Sequence, residues 1–583
     1  MQITGVLGVL GVASVLLFYI WSISNWLWFK PKKIEQCLRD QGLKGSPYKF
    51  IFGDVKEMQH MTNEAKAKPI NLSHDISYRV LPFLYKYSVT LGTNFFTWIG
   101  PTPIVHVSEP SMVREVFANY RKFQKARRGG NPLRNLIAKG LFFAEGDRWV
   151  KHRKIINPAF HVEKLKVHFN YCTGSQDDLD RCIDYKYYIK TEGRRATSYV
   201  TTRIANPNLP KTKLCPLNNF CYYYYYFFFL QHMEASFYVK CSEMIENWEK
   251  LVTRDSSCEV DVWPLLYSFS GDVISHTAFG SSFEEGRKIF ELQREQAAMM
   301  LKIDESVYIP GSRFLPTKNN KRMKAIDREV KAIIKSIIDK RVVAMNSGET
   351  SNNDLLGILL DSNYKEIKEH GNNNFGLSID EIIEECKLFY FAGQDTTGNT
   401  LVWTMILLSQ HIDWQRRARE EVLHIFGDRT PDINGLNHLK TMNMILNEVL
   451  RLYPVIPVLR RLIHEETKLG NLTIPAGTII QLNTLFFHHD KEIWGEDASE
   501  FNPERFSEGV SKATKAGEGL YIPFGGGPRI CIGLNFAMLE MKIALAMILQ
   551  RFSFELSPSY SHAPHNILTM QPQFGAHLIL HKL

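Results

Sequence analysis

The chain opens on an unbroken apolar run and only later settles into helical and strand periods. Its first 29 residues carry no charged side chain, and Ile3 to Trp28 is nearly all apolar, with Trp21, Trp26 and Trp28 at its far end. As a helix this run is roughly 39 Å long, enough to span a bilayer with some tilt. Lys30, Lys32 and Lys33 follow at once. The positive-inside rule then puts everything after them in the cytosol. A cleaved signal peptide would need a charged leading segment, a shorter apolar core and a small-residue cleavage site, none of which is present. The pattern predicts a retained, single-pass transmembrane anchor over 1–29.

Residues 30–70 read as a polar linker into a body spanning 71–583. Phe95 to Val107 has strand composition around a Gly100-Pro101 turn. From about Ser111 the apolar spacing is mostly helical, with long helices expected over 318–346, 378–411, 414–426, 439–453 and 534–551. Strand signals return over 467–482 and near the C-terminus. The fold class that follows is mainly α with small β-sheets.

Segment 167–231 keeps neither period. It ends in Cys221, five tyrosines from Tyr222 to Tyr226, three phenylalanines from Phe227 to Phe229, Leu230 and Gln231. Buried, five adjacent tyrosines would each need a hydroxyl partner. Exposed, they would invite aggregation. A valine codon begins with the usual splice-donor dinucleotide, Tyr and Phe codons are pyrimidine-rich, and CAG for glutamine is a common acceptor ending. The segment is expected to be an anomalous, disordered insertion, a translated intron; a long surface loop, which a fold tolerates thermodynamically, is the alternative.

Composition adds limits. At 44% apolar and 22% charged residues the chain can bury a large core. The net charge of +9 is not gathered into a Lys/Arg tract, so no nucleic-acid partner is expected; anionic lipid or an acidic protein suits it better. Nine cysteines stand far apart with no CxxC pair, which argues for free thiols in a reducing compartment.

One cysteine is set apart by its neighbours. Phe524-Gly525-Gly526-Gly527-Pro528-Arg529-Ile530-Cys531-Ile532-Gly533 runs straight into the predicted helix 534–551. A thiol just before a helix faces free backbone N–H groups and the positive end of the dipole, so its pKa is expected to fall. Glycines let backbone pass close to a large planar group. No Gly-Lys-Ser/Thr follows, which excludes a phosphate loop.

This run matches F-x-x-G-x-R-x-C-x-G at every fixed position and resembles the haem-binding motif of the cytochrome P450 family. Four further motifs occur in that family's order: Trp149-Val150-Lys151-His152-Arg153, Ala392-Gly393-Gln394-Asp395-Thr396-Thr397, Glu448-Val449-Leu450-Arg451, and Phe501-Asn502-Pro503-Glu504-Arg505-Phe506. Ser378 and Glu381 form a candidate capping box for the helix carrying the second of these, and its threonines can bond back to the preceding turn. Glu448 and Arg451 share a helix face. His488-His489-Asp490 is read as surface loop.

The resemblance implies a P450 fold behind one transmembrane helix, and haem b with Cys531 as the axial ligand of its iron. It implies that Arg529, Trp149, Arg153 and Arg461 hold propionates (Arg460 competes for the last place) and that Phe524 belongs to the cofactor site. It assigns oxygen activation and proton delivery to Thr396 and Asp395, and a structural triad to Glu448, Arg451 and Arg505. With no flavin or dinucleotide motif in the chain, electrons would come from NADPH through a separate NADPH–cytochrome P450 reductase at the endoplasmic reticulum membrane. Stretches such as WVKHRKIINPAFHVEKLK and LRLYPVIP resemble the plant group that includes secologanin synthase. That group implies a hydrophobic terpenoid substrate, triterpenoid, iridoid or gibberellin-like. The turn 455–459 would face it, and Tyr453-Pro454-Val455 lacks the second proline usual there. The alternative is a haem-binding product impaired by 167–231.

Overall fold

The computed structural model describes residues 2–125, 136, 139–160, 237–252, 257–280, 283–304, 312–347, 354–514 and 520–583; the insertion 167–231 lies outside them. The long helix Ile379–Gln410 organises the body. The Ser378 hydroxyl caps its N-terminus by accepting from Glu381 N–H, and the Glu381 carboxylate returns to the Ser378 N–H, so the predicted capping box is complete. Leu401, Val402, Trp403, Met405 and Ile406 are wholly buried. A helix apolar on every side belongs in a core, and this one is wrapped by Val262–Phe279, Lys318–Ser347, Ile412–Phe426, Lys440–Leu452 and Leu534–Arg551.

A mixed six-stranded sheet flanks the helices. Its order is Lys44–Gly45, Phe95–Ile99, Thr102–Val107, Ile479–Leu482, Leu459–Ile463 and Phe123–Lys125. The Gly100-Pro101 turn closes the expected hairpin, pairing Phe95 with His106. Phe96, Trp98 and Val105 face a second core that also holds Ile34, Leu38 and Val113. An antiparallel sheet of Phe552–Leu556, His577–Lys582 and Ser257–Asp261 closes the other end. The fold is mainly α with small sheets.

Two expectations change. Residues 30–70 are not a linker. The apolar helix Gln2–Ser24 passes through a π-helical turn, Asn25–Phe29, directly into Lys30–Asp40. Ile34 and Leu38 of that last helix are buried on the sheet, because they recur four residues apart on one face. Tyr48 and Asp54 are buried beyond it. His488 is likewise no surface residue: it lies in the last turn of the helix Thr484–His489, fully buried, with its Nδ1 on the Arg451 carbonyl (3.2 Å) and its Nε2 accepting from Ile522 N–H (3.0 Å).

Candidate active site

The loop before Leu534–Arg551 owes its shape to backbone bonds and glycine. The Cys531 N–H donates to the Phe524 carbonyl at 2.9 Å, and the Ile530 N–H to Gly527 O at 3.1 Å. Gly527 has φ +64°, and a Cβ there would stand 2.5 Å from Phe117 O; no other residue fits both demands. Phe524 is half-buried, its carbonyl serving the loop. The Cys531 side chain reaches the surface, with protein packed around the rest of it. Burial pushes its thiol up from the ordinary value, against the Gly533 N–H and the charges of Lys125 and Arg153. The expected lowering is therefore corrected. Desolvation of the thiolate outweighs one N–H and two distant cations, and a bound metal is what deprotonates such a ligand outright.

Beside the loop the structure gathers several cations. Arg529 is buried against the face of Trp149, its guanidinium carbon 4.9 Å from the ring centroid. Its Nη2 donates to Ala144 O at 2.9 Å and to the Glu145 carboxylate, while its Nε and Nη1 have no acceptor. Arg461 is buried near Phe117, with Nη1 on Arg460 O and Nε unpartnered. Lys125 lies directly across the strand pair from Arg461. Burial, then Arg529, lower the Arg461 pKa to about 10; burial, then Arg461 and Arg529, drive Lys125 well below its usual range. Arg153 completes the group and donates to Ile530 O at 3.0 Å. The Arg460 ambiguity resolves through strand alternation: Arg460 bonds Gln481 on the opposite face (2.6 Å), leaving Arg461 in the cluster.

Four basic side chains here meet one carboxylate, Glu145, and three buried guanidinium nitrogens lack an acceptor. Such orphans cost about 1–3 kcal/mol each, so the residues fit a dianionic partner with two carboxylates, as haem carries. Lys125 and Glu145 were not legible beforehand: nothing in Phe123–Lys125 or before the Trp149 helix marks them until the sheet brings them opposite Arg461 and Arg529.

Asp395 and Thr396 form a separate part of the site on Ile379–Gln410. The helix runs unbroken through them, and the Thr396 hydroxyl bonds back to Ala392 O at 2.8 Å, as its position mid-helix predicts. The Asp395 carboxylate accepts from Thr569 Oγ1 (2.7 Å) and Tyr267 OH (3.2 Å). Among the described residues no hydrogen bond joins either to the Cys531 loop.

Glu448, Arg451 and Arg505 come together in the structure. Arg451 donates Nε and Nη2 to the two oxygens of Glu448, both at 2.7 Å, Nη1 to His488 O and Ala498 O, both at 2.6 Å, and Nη2 to Glu500 O at 3.1 Å. Arg505 Nε stands 3.4 Å from Glu448.

The cytochrome P450 family profile matches residues 76–186 and 226–577. The chain belongs to the cytochrome P450 family. It is 54% identical over 570 residues to cytochrome P450 CYP72A219 of Panax ginseng, covering 98% of this chain and 97% of the relative. It is 47% identical over 573 residues to the 7-deoxyloganic acid hydroxylase of Catharanthus roseus, with coverage of 98% and 97%. The resemblance to this plant group thus holds over nearly the whole chain. A retinoic acid-bound cyanobacterial P450, CYP120A1, shares the fold at a TM-score of 0.66 and 21% identity, covering 93% of this chain and 99% of that one. As a P450 the chain is a monooxygenase of the haem-iron class. Its N-terminal helix, Leu10–Asp40 in its well-described part, is long and apolar enough to cross a membrane.

Proposed function

We propose that this P450 is anchored by 1–29 in the endoplasmic reticulum membrane and oxidises a terpenoid on the cytosolic side, with electrons from NADPH through a separate reductase. The iridoid-hydroxylating relative at 47% identity supports the substrate class, and the apolar N-terminal helix supports the anchor. The observation that carries the reading is the set of acceptor-less guanidinium N–H groups beside Cys531. Cys531 would ligate the haem iron, Arg461 and Arg529 would hold the propionates, and Trp149 and Arg153 would keep Arg529 and the loop in place. Bound there, haem supplies dioxygen activation, which thiolate donation favours. The chain supplies binding, orientation and proton handling. In this reading Asp395 would take up a proton from solvent and Thr396 would pass one on toward the bound group.

A second reading concerns 167–231. The family match leaves 187–225 unmatched, wholly inside that segment. We infer that 167–231 is a translated intron, and that a product retaining it is catalytically impaired although it keeps the haem motif. Full-length protein co-expressed with a plant reductase separates the two. A reduced carbon-monoxide complex with the Soret band that names the family, and NADPH-dependent oxidation of a panel of triterpenoids, iridoids and gibberellin precursors, support the enzyme. A short-wavelength Soret band from the 583-residue product, cured by deleting 167–231, supports impairment. Codons for 167–231 persisting in the main mature transcript and in active protein contradict the intron.

A further inference from the structure

The Asp395 carboxylate is not free. Both of its oxygens are held by hydroxyl donors from two different elements, neither of them on its own helix: Thr569 Oγ1 at 2.7 Å and Tyr267 OH at 3.2 Å. Tyr267 sits on the helix Val262–Phe279, and the Arg294 guanidinium of Phe283–Asp304 lies over its ring at 4.8 Å. Thr569 lies in the C-terminal hairpin between Pro564–Asn566 and Met570–Pro572. That hairpin is fastened in turn. Asn399 Nδ2 donates to Thr569 Oγ1 at 3.2 Å and to Asp395 O at 2.8 Å, Trp403 Nε1 donates to Met570 O at 3.1 Å, and Met570 N–H donates to Val455 O at 2.9 Å.

We propose that Thr569 and Tyr267 are positioning residues for Asp395, fixing where its carboxylate points, and that Thr569 ties this hold to the turn at Val455. The inference rests on the reading of Asp395 as the proton carrier. Its physical content is specific. An acceptor held by two hydroxyls stays ionised more readily and points where they point. Among the described residues the titratable and charged groups facing Asp395 are Tyr267 and Arg294. Burial raises its pKa, and Thr569, Tyr267 and Arg294 oppose that rise in this order. Thr569 belongs to the same hairpin that bonds Val455, so a displacement of that turn reaches Asp395 through two hydrogen bonds, Met570 N–H to Val455 O and Thr569 Oγ1 to Asp395. A merely structural staple would hold the hairpin without setting the proton affinity of the carboxyl.

The test uses the full-length holoenzyme. Infrared difference spectra of wild type minus Asp395→Asn isolate the Asp395 carboxyl band, which is titrated with pH in Thr569→Val, Tyr267→Phe and the hydroxyl-retaining Thr569→Ser. The expected result is an upward midpoint shift of about one pH unit, tenfold in the equilibrium, in Thr569→Val, a smaller one in Tyr267→Phe, and the wild-type midpoint in Thr569→Ser. A Thr569→Val midpoint equal to wild type overturns the positioning role. The solvent isotope effect on reductase-supported oxygen consumption is measured in parallel. It should rise in Asp395→Asn and, less, in Thr569→Val, with rescue in Thr569→Ser. An effect unchanged in Asp395→Asn removes the proton-carrier reading and the positioning claim with it. A rise in Asp395→Asn without any in Thr569→Val removes the positioning claim alone.

Discussion

Around Arg451 every guanidinium N–H finds an acceptor, two on Glu448 and three on main-chain carbonyls. Around Arg529 and Arg461 three buried nitrogens find none, and Lys125 adds a further basic side chain opposite Arg461. Both clusters are buried, both contain a glutamate, and both are made largely of arginine. In the first, Arg451 closes its own hydrogen-bond accounts, while its neighbour Arg505 keeps a buried Nε without an acceptor, 3.4 Å from Glu448. The second is stable only because the fold around it forces like charges together, and it keeps its donors for something anionic. Orphaned donors alone do not mark a binding arginine, since Arg79 and Arg505 carry them too; their convergence with further basic side chains beside Cys531 is what suits an anionic ligand.

The largest effect that would break this contrast lies in the saturated cluster. Glu448→Ala leaves Arg451 buried and unpaired and should cost about 3–5 kcal/mol of stability, seen as a lowered denaturant midpoint and little folded protein. A smaller, oppositely signed effect belongs to the unsaturated cluster. Arg461→Met removes an orphaned donor, so the haem-free chain should gain about 1–3 kcal/mol in denaturant unfolding. Haem affinity should fall roughly tenfold or more, as loss of a charge-assisted bond implies. Destabilisation of the haem-free chain would erase the distinction.

Acid probes the saturated side again. Burial holds the His488 pKa at about 3, against an ordinary 6.5. The unfolded chain therefore binds the extra proton between those values, and the stability from neutral His488 is complete above 6.5 and lost as pH falls toward 3. The expected slope is about 1.4 kcal/mol per pH unit for this residue, and His488→Asn should remove that share of it in pH-dependent unfolding. The smallest effect is expected at Arg460→Gln, on the opposite strand face: under about 1 kcal/mol in stability and no change in haem titration, which would confirm that Arg461 alone of the pair faces the cofactor.

Much of this was readable along the chain because it is local. The capping box at Ser378 and Glu381, the Gly100-Pro101 hairpin, the Glu448–Arg451 face and the loop ending at Cys531 are each set by residues within a few positions of one another. What escaped depends on distant pairing. Lys125 reaches Arg461 only through the sheet, Thr569 reaches Asp395 only through the C-terminal hairpin, and His488 is buried because Arg451, far back in sequence, needs its carbonyl. Residues 30–70 misled for a related reason. Their polar face is conspicuous in sequence, while Ile34 and Leu38 show their purpose only once the sheet lies beneath them. The thiol of Cys531 was misjudged because burial cannot be counted from neighbours.

In the proposed reading the orphaned Nε of Arg461 awaits a carboxylate of haem. Titrating haem and its dimethyl ester into haem-free wild type and Arg461→Met, followed by absorbance, tests it directly. The account predicts that wild type prefers free haem over the ester by roughly tenfold or more and that Arg461→Met loses most of that preference. An undiminished preference in Arg461→Met would contradict it.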